Sequence, residues 1–323
     1  MDAEAIADAI IETSVKFGLK TENLIGQGYD GCSTMAGKDN GVQTRIKSIP
    51  PKAAFVHCSS HRLNLVVTDL NSVPDVRNAI GTVKAVIKFF CDSPKRRKQV
   101  PNLQLLCETR WTAKYKSIRI FAENFVAIVK ALENLSKNEL ETTRQTAHQL
   151  FCASTTANFL VTLRIIARYS ALLEPITQSL KAVNLDLLGV QEHIQKLLNV
   201  LRSHRSESEQ VFTQDIMPVV KQTAEELSID LSLPRRCGRQ MFRSNPDSNS
   251  FEDYFRKSVF IPYLDSILQS LQIRFGEDNK PHFSLFALHP AQLSKNDRTE
   301  IINIASKINS IYEIDNLESE VLT

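Results

Sequence analysis

The sequence predicts a mainly α-helical protein with a residual α/β part. Apolar residues recur at helical spacing through most of the 323 residues, which indicates amphipathic helices packed on a common core. Two short apolar runs bounded by turn residues, Leu24-Ile25 and Ala53 to Val56, are predicted as strands. The hydrophobic share of 42% and the charged share of 23% are ordinary for a globular chain. These observations together define the predicted class.

The N-terminal region alternates helix, strand and turn signals. Apolar positions on one face, followed by Gly18, predict a helix over residues 2–17. Pro50 and Pro51 interrupt the chain before the second predicted strand. From His61 onward the apolar pattern becomes helical, so the α/β part is confined to this region.

The remainder of the chain reads as helices joined by short breaks. A helix is predicted from Val76 to Phe90 and another from Trp111 to Leu135. Residues 140–230 are predicted as nearly continuous helix, in which Pro175 ends or kinks one segment and Pro218 bends another. The further predicted elements are a turn-rich break at 235–250, a helix at 251–275, a short extended piece at 282–290 and a last helix at 297–312, with a further helix possible after it.

Charge and cysteine content restrict the class of protein. The net charge of +3 does not by itself indicate a nucleic-acid binder. Two basic clusters, Lys95 to Lys98 and Arg235 to Arg243, are interpreted singly as solvated loops. Six scattered cysteines indicate reduced thiols. With no signal peptide expected at the N-terminus and no apolar run of membrane-spanning length, we expect an intracellular protein, nuclear or cytoplasmic.

Three short motifs carry the candidate chemistry. Asp30 lies in a glycine-flanked turn after a predicted strand, where it serves either as a metal ligand or as an Asx-turn residue. Cys58 and His61 form a Cys-x-x-His pair at a helix start, but no second pair at matching spacing completes a structural zinc site. Arg110 precedes Trp111, the lone tryptophan, whose alternative role is packing in the core.

Several ordered motifs resemble the hAT transposase superfamily, and within it the branch of zinc finger MYM-type 1-like proteins. The resemblance extends over nearly the whole chain. Its motifs are Gly26-Gln27-Gly28-Tyr29-Asp30-Gly31, Gly41-Val42-Gln43, His57-Cys58-Ser59-Ser60-His61-Arg62-Leu63-Asn64-Leu65, Cys107-Glu108-Thr109-Arg110-Trp111 and Tyr254-Phe255-Arg256-Lys257-Ser258.

The resemblance implies an incomplete ribonuclease-H-like core interrupted by a large all-α insertion. The implied domains are 1–135 for the partial core, 136–250 for the insertion, and 251–323 for its continuation and return towards the core. In full-length members, two Asp and one Glu hold two Mg²⁺ ions for DNA transposition, a two-metal phosphoryl transfer. Asp30 matches the second Asp, and no counterpart of the other two carboxylates is found in this sequence. A single carboxylate binds Mg²⁺ weakly, so we expect no bound cofactor and no transposase activity.

The resemblance also assigns roles to the other candidates. Cys58 and His61 match a pair that lies beside the family's active site and shapes it. Trp111 matches a residue that stacks on a flipped base, a contact worth about 1–3 kcal/mol, and Arg110 could contact phosphate.

Three functions are left open by the residues. The first is a truncated, catalytically inactive hAT-transposase-like protein that retains nucleic-acid or protein binding. The second is a fragment of a longer, active Mg²⁺-dependent DNA transposase. The third is a helical protein-interaction scaffold. DNA, protein partners or a second copy are the expected partners, and neither a membrane nor a small-molecule substrate is expected.

Overall fold

The computed structural model describes residues 2–50, 53–106, 111–180, 187–234, 246–276, 288–294, 296–314 and 316–321. In the first part of the chain the elements are α1 Ala3–Lys16, β1 Gly26–Tyr29, α2 Ser33–Ala36, α3 Val42–Lys47, β2 Ala54–His57, α4 Ser59–Asp69, α5 Pro74–Cys91 and α6 Pro94–Arg97. The later elements are α7 Trp111–Glu123, α8 Phe125–Asn138, α9 Glu141–Ser154, α10 Ala157–Ser179, α11 Leu187–Ser206, α12 Ser208–Val211, α13 Met217–Leu227, α14 Phe251–Phe255, α15 Ile261–Phe275, α16 Pro290–Leu293, α17 Arg298–Tyr312 and α18 Leu317–Glu320. The mainly helical class with a small α/β part is therefore confirmed.

The chain divides into two units. Unit 1 comprises Met1–Leu65, Leu180–Glu192 and Gln272–Thr323, and unit 2 comprises Val66–Ser179 and His193–Leu271. Both units are assembled from discontinuous stretches of sequence. The ribonuclease-H-like core and the domain boundaries that the resemblance implies, at 135 and 250, remain predictions.

Helix α1 begins and ends as the sequence predicts. The side chain of Asp2 accepts the N–H of Ala5 at 2.9 Å and caps its start. Gly18 follows the helix with a φ of 75°, a conformation that costs glycine little, and its N–H donates to the carbonyl of Val15. The predicted helix over 2–17 is thus confirmed to within a residue at each end.

The sheet consists of two parallel strands, β1 and β2, in which Gly26 pairs with Ala54 and Tyr29 with His57. The predicted first strand at Leu24-Ile25 is misplaced, because Leu24 follows a 3₁₀ turn and the strand extends through Gly26–Tyr29. Pairing with β2 satisfies the backbone of this glycine-rich stretch despite its low strand propensity. The second strand lies one residue later than predicted.

Unit 1 contains two apolar clusters among its described residues. Helix α1 packs on α3 next to the sheet. The buried members of the first cluster are Ala7, Val42, Ile46 and Ala53. The second cluster joins α17 and α18 through Ala305, Ile308, Tyr312 and Leu317. The helix predicted at 297–312 is confirmed, with Asp297 and Glu300 forming a reciprocal capping box.

All the regular secondary structure of unit 2 is helical among its described residues. The helix predicted over 76–90 is confirmed as α5, whose buried face includes Val76, Val83 and Phe90. The single helix predicted from Trp111 to Leu135 is wrong, because α7 and α8 are separated at Asn124. There the side-chain amide donates to the carbonyl of Ile120 at 2.8 Å, and the φ and ψ of −97° and 11° leave the helical region.

Prolines and π-helical segments shape the later helices. Pro175 does not end α10, which continues to Ser179. Pro218 is the second residue of α13, which follows directly after a π-helical segment at Phe212–Ile216. A second π-helical segment, Arg256–Phe260, joins α14 to α15. The rings of Phe212 and Phe260 lie 5.4 Å apart, so the two segments meet in the core of unit 2.

Some expectations fall outside the described residues. These are the basic cluster from Arg235 to Arg243 and most of the extended piece at 282–290. Within the described ranges, no single helix is long and apolar enough to cross a membrane. Helices α9 and α10 reach the required length and apolar composition only when they are taken together, and they are bent by 72° relative to each other.

Candidate functional site

The carboxylate of Asp30 lies at the C-terminal end of β1 and is exposed. Its Oδ1 accepts the backbone N–H of Cys32 at 3.2 Å, which is the geometry of an Asx-turn. Hydrogen bonds from the thiol and the backbone N–H of Cys32 hold the pKa of Asp30 below its ordinary value, and His61 and His57 add to this effect. The carboxylate is therefore ionised and engaged with its own turn.

Two histidine rings converge beside this turn. His57 is the last residue of β2 and His61 lies in the first turns of α4, and their ring centroids are 5.2 Å apart with an interplanar angle of 23°. Both rings lie against Gly31. An added Cβ at that glycine would be 2.2 Å from Nε2 of His57 and 3.0 Å from Nε2 of His61. Only a residue without a side chain allows the two rings to approach the Asp30 turn this closely.

The ring of His57 lies among basic side chains. Burial lowers the pKa of His57, and the nearby charges of His61, Arg62 and Arg274 lower it further, while Asp30 opposes them. The guanidinium of Arg62 is half-buried, and burial together with Arg274 lowers its pKa as well. Nε2 of His57 is buried without a hydrogen-bond partner in the described part of the chain. His57 is consequently held neutral at this site.

These residues do not fit a pair of Mg²⁺ ions. Mg²⁺ prefers carboxylate oxygens and water, whereas the described ionisable side chains that act on Asp30 are the thiol of Cys32 and the imidazoles of His57 and His61. Within the described ranges, no three His, Cys, Asp or Glu side chains are grouped closely enough to hold a metal ion. We therefore derive no catalytic step through a metal at Asp30.

Cys58 and His61 lie next to Asp30 because of backbone pairing. The N–H of Cys58 donates to the carbonyl of Tyr29 at 2.8 Å, and its carbonyl accepts the N–H of Arg62 at 2.9 Å. Cys58 thus joins the end of β1 to the beginning of α4. Its thiol is free and exposed. The role of this pair in shaping a site stays a prediction.

The structure does not test the proposed roles of Arg110 and Trp111. Arg110 lies outside the described residues, and Trp111 begins α7, in unit 2, with a side chain that also falls outside them. The stacking and phosphate roles of these two residues stay predictions.

Sequence reasoning misses most of the groups that face Asp30. His57 belongs to one of the motifs, but its approach to Gly31 depends on the register of β1 and β2. Arg62 and Arg274 are far apart in sequence, and no local pattern relates them. The immediate succession of β2 and α4 is the one available signal, since it directs His57 and His61 to the same strand end.

Comparison with known proteins shows distant relatives. The chain is similar to the 52 kDa repressor of the inhibitor of the protein kinase from Mus musculus, with 22% identity over 91% of this chain and 41% of the relative. It is also similar to the protein of the same name from Homo sapiens, with 23% identity over 87% of this chain and 39% of the relative. No protein-family model and no solved structure matches.

The chain thus spans about two fifths of the length of the curated relatives it matches. This distant homology supports an origin in the hAT class of transposon-derived proteins. It does not distinguish the zinc finger MYM-type 1-like branch from other branches.

Proposed function

We propose that this chain is a hAT-transposase-derived protein of the zinc finger MYM-type 1-like branch that binds nucleic acid and does not cleave it. The ordered sequence motifs and the distant homology support the origin. The relatives are named as repressors, a role for which binding alone can suffice. A nuclear or cytoplasmic location, with DNA, protein or a second copy as partner, belongs to the same proposal.

The charge around Asp30 carries the non-catalytic part of the proposal. A two-metal site needs several anionic groups to offset two divalent charges. Among the described residues, the carboxylate of Asp30 interacts with His57 and His61, and Arg62 and Arg274 in turn act on His57. Such surroundings disfavour a cation and favour an anion, so they are better suited to contacting a nucleic-acid phosphate than to activating water on it.

Binding and cleavage can be measured on the same purified chain. We expect fluorescence anisotropy with a labelled DNA duplex to show binding that weakens steeply with salt, because phosphate contacts release counterions. With Mg²⁺ present we expect no strand scission, and Asp30→Ala should leave the affinity nearly unchanged. Mg²⁺-dependent cleavage that Asp30→Ala abolishes would instead identify a fragment of an active transposase. Absence of salt-dependent binding would favour the protein-interaction scaffold.

Trp111 provides a separate test of whether the base-stacking role implied by the resemblance is retained. If the stacking contact is retained, Trp111→Ala should weaken binding to DNA with unpaired bases by about 1–3 kcal/mol, whereas Trp111→Phe should keep much of the affinity. If Trp111→Ala binds DNA with unpaired bases as tightly as the unmodified chain does, Trp111 only packs in the core.

A further inference from the structure

Unit 2 carries a strongly basic face on α5 and α6. We define this basic face by seven residues: Arg77, Lys84, Lys88, Lys95, Arg96, Arg97 and Lys98. Over residues 77–98 these seven cations are offset by one acidic side chain, Asp92, which leaves a local charge of +6. The whole chain has a net charge of only +3. The positive charge is therefore concentrated in this segment, which the small net charge of the whole chain does not reveal.

The basic face points away from the core. Arg77, Lys84 and Lys88 are spaced by seven and four residues, so they share one side of α5. They are exposed, whereas Val83, Val86 and Phe90 on the opposite side are buried. With a rise of about 1.5 Å per residue, this row is about 16 Å long. Phosphates of one DNA strand are spaced by about 3.4 Å along the helix axis, so the three cations extend over the length of about five phosphates.

The basic face continues on α6, where some of the cations form ion pairs and others do not. Lys95 pairs with Glu139 at 2.7 Å, and Lys88 pairs with Asp92 at 2.7 Å. Arg97 and Lys98, in contrast, are exposed, and neither forms an ion pair with another described residue. Exposed cations of this kind gain most from a polyanionic partner.

Arg96 is held in position rather than free. Its Nε donates to the carbonyl of Phe89 at 2.8 Å, and its guanidinium carbon lies 4.2 Å from the centre of the Phe89 ring. The two terminal nitrogens take no further hydrogen-bond partner among the described residues. A guanidinium oriented in this way can bind two phosphate oxygens at a small entropic cost.

Arg96 borders a groove of about 410 Å³ between α5, α6 and α9. Three threonines of α9, Thr142, Thr143 and Thr146, line it together with Phe89 and the Lys88–Asp92 pair. The hydroxyl of Thr146 already donates to the carbonyl of Thr142 at 3.0 Å, which leaves the hydroxyls of Thr142 and Thr143 to donate to a phosphate oxygen. The groove thus combines one fixed cation with two hydroxyl donors.

We propose that the basic face of α5 and α6, with the adjoining groove, is the surface on which the phosphate backbone of a nucleic acid binds. This inference rests on the proposed nucleic-acid binding and locates it in unit 2. Residues 77–98 include no exposed large apolar side chain, which a membrane-inserting surface requires. The length of the row of cations and the threonine-lined groove favour a phosphodiester backbone over an acidic protein.

The test compares two double variants of the complete chain that remove the same charge. Arg97→Gln/Lys98→Gln changes the basic face, and Lys196→Gln/Arg202→Gln changes exposed residues of α11 in the same unit. The logarithmic salt slope of duplex binding decreases by about 0.9 for each phosphate that the protein no longer neutralises. For the first variant we expect a slope smaller by about 1.8 and an affinity lower by about 60-fold at 0.1 M salt. The α11 variant should retain the slope and nearly all of the affinity.

The outcomes separate this inference from the proposed function. If the unmodified chain binds duplex in a salt-dependent manner but both variants lose affinity equally, the interface is elsewhere and only the location is overturned. If the unmodified chain binds no DNA, both proposals fail. Tighter binding to poly-glutamate or to phosphatidylserine vesicles than to duplex overturns the choice of partner. Unchanged circular dichroism and melting temperature in both variants serve as the folding control.

Discussion

The fit of Gly31 against two histidine rings gives the sharpest prediction from this structure. In Gly31→Ala the new Cβ would lie 2.2 Å from Nε2 of His57 and 2.5 Å from Cε1. To reach an ordinary contact of 3.4 Å, the His57 ring has to move by about 1.2 Å. The ring also packs near Phe55 and His61, so movement in either direction disturbs a neighbour. Overpacking of this kind costs about 1–3 kcal/mol.

A matched glycine elsewhere provides the control. Gly81 lies within α5, is exposed, and an added Cβ there meets no atom within 4 Å. Gly81→Ala should therefore stabilise the protein by about 0.5–1 kcal/mol, because alanine loses less conformational entropy in a helix. The backbone at both positions lies outside the left-handed region. The two substitutions add the same methyl group, once against two histidine rings in a turn and once into open space on a helix.

Denaturant unfolding followed by circular dichroism measures both free energies. Hydrogen exchange of peptides covering β1 and β2 shows whether the destabilisation in Gly31→Ala is local. The double variant Gly31→Ala/His57→Ala should recover part of the stability, because removing the ring makes room for the new methyl group. A Gly31→Ala protein as stable as the unmodified chain, with unchanged exchange in both strands, would refute the packing described here.

Other substitutions probe the neutral histidine and the core of unit 2. Because burial and nearby cations lower the pKa of folded His57 from 6.5, its contribution to stability is complete above pH 6.5 and decreases as pH falls through the folded pKa. The melting temperature should therefore decrease as pH falls below about 6.5, and His57→Gln should reduce that decrease; an equal decrease in both proteins would contradict this. His204, whose pKa is also lowered, contributes with the same sign. Tyr169→Phe removes the 3.0 Å hydrogen bond between a buried hydroxyl and Nδ1 of His204, which should lower the free energy of unfolding by about 1–2 kcal/mol. Phe260→Ala removes a fully buried ring from the contact between the π-helical segments and should cost about 3–5 kcal/mol. Denaturant titration measures both values, and a change below about 0.5 kcal/mol, typical of a surface substitution, would contradict the described packing.

Helices are predicted best where a periodic apolar face coincides with clear end signals. In α1 the apolar stripe lies between Asp2 and Gly18, and in α17 it begins at Asp297, so the predicted bounds hold to within a residue or so. The long helix after Trp111 is predicted as one piece because its apolar stripe continues through Asn124. The side chain of Asn124 breaks it through a hydrogen bond that periodicity does not report.

The strands, unlike the helices, are determined more by tertiary pairing than by local sequence. A glycine-rich stretch has low strand propensity, and Gly26–Tyr29 forms a strand because β2 lies beside it in parallel register. That pairing joins residues about 28 positions apart, and no local pattern specifies it. Sequence reasoning therefore places the first strand on the apolar residues just before it.

In the candidate site, too, some features are visible in the local sequence and others depend on the fold. Asp30 and the Cys58–His61 pair are found as local motifs, since glycines around a carboxylate and a Cys-x-x-His spacing are visible in the sequence. The charge of Arg274 near His57 is not visible there, because Arg274 is remote from His57 in sequence. The basic face is visible only as the segment from Lys95 to Lys98. Its extension to Arg77 depends on which side of α5 faces solvent.

By itself, the sequence determined the helical content of this protein, most helix ends and the motifs that relate it to transposon-derived proteins. These features depend on interactions within a few residues, such as the apolar period of a helix and the capping of its ends. The tertiary structure alone decided the pairing of β1 with β2, the convergence of His57 and His61 on Gly31, and the groove beside Arg96. Each of these brings together groups that are remote in sequence, and chain packing decides which of them meet.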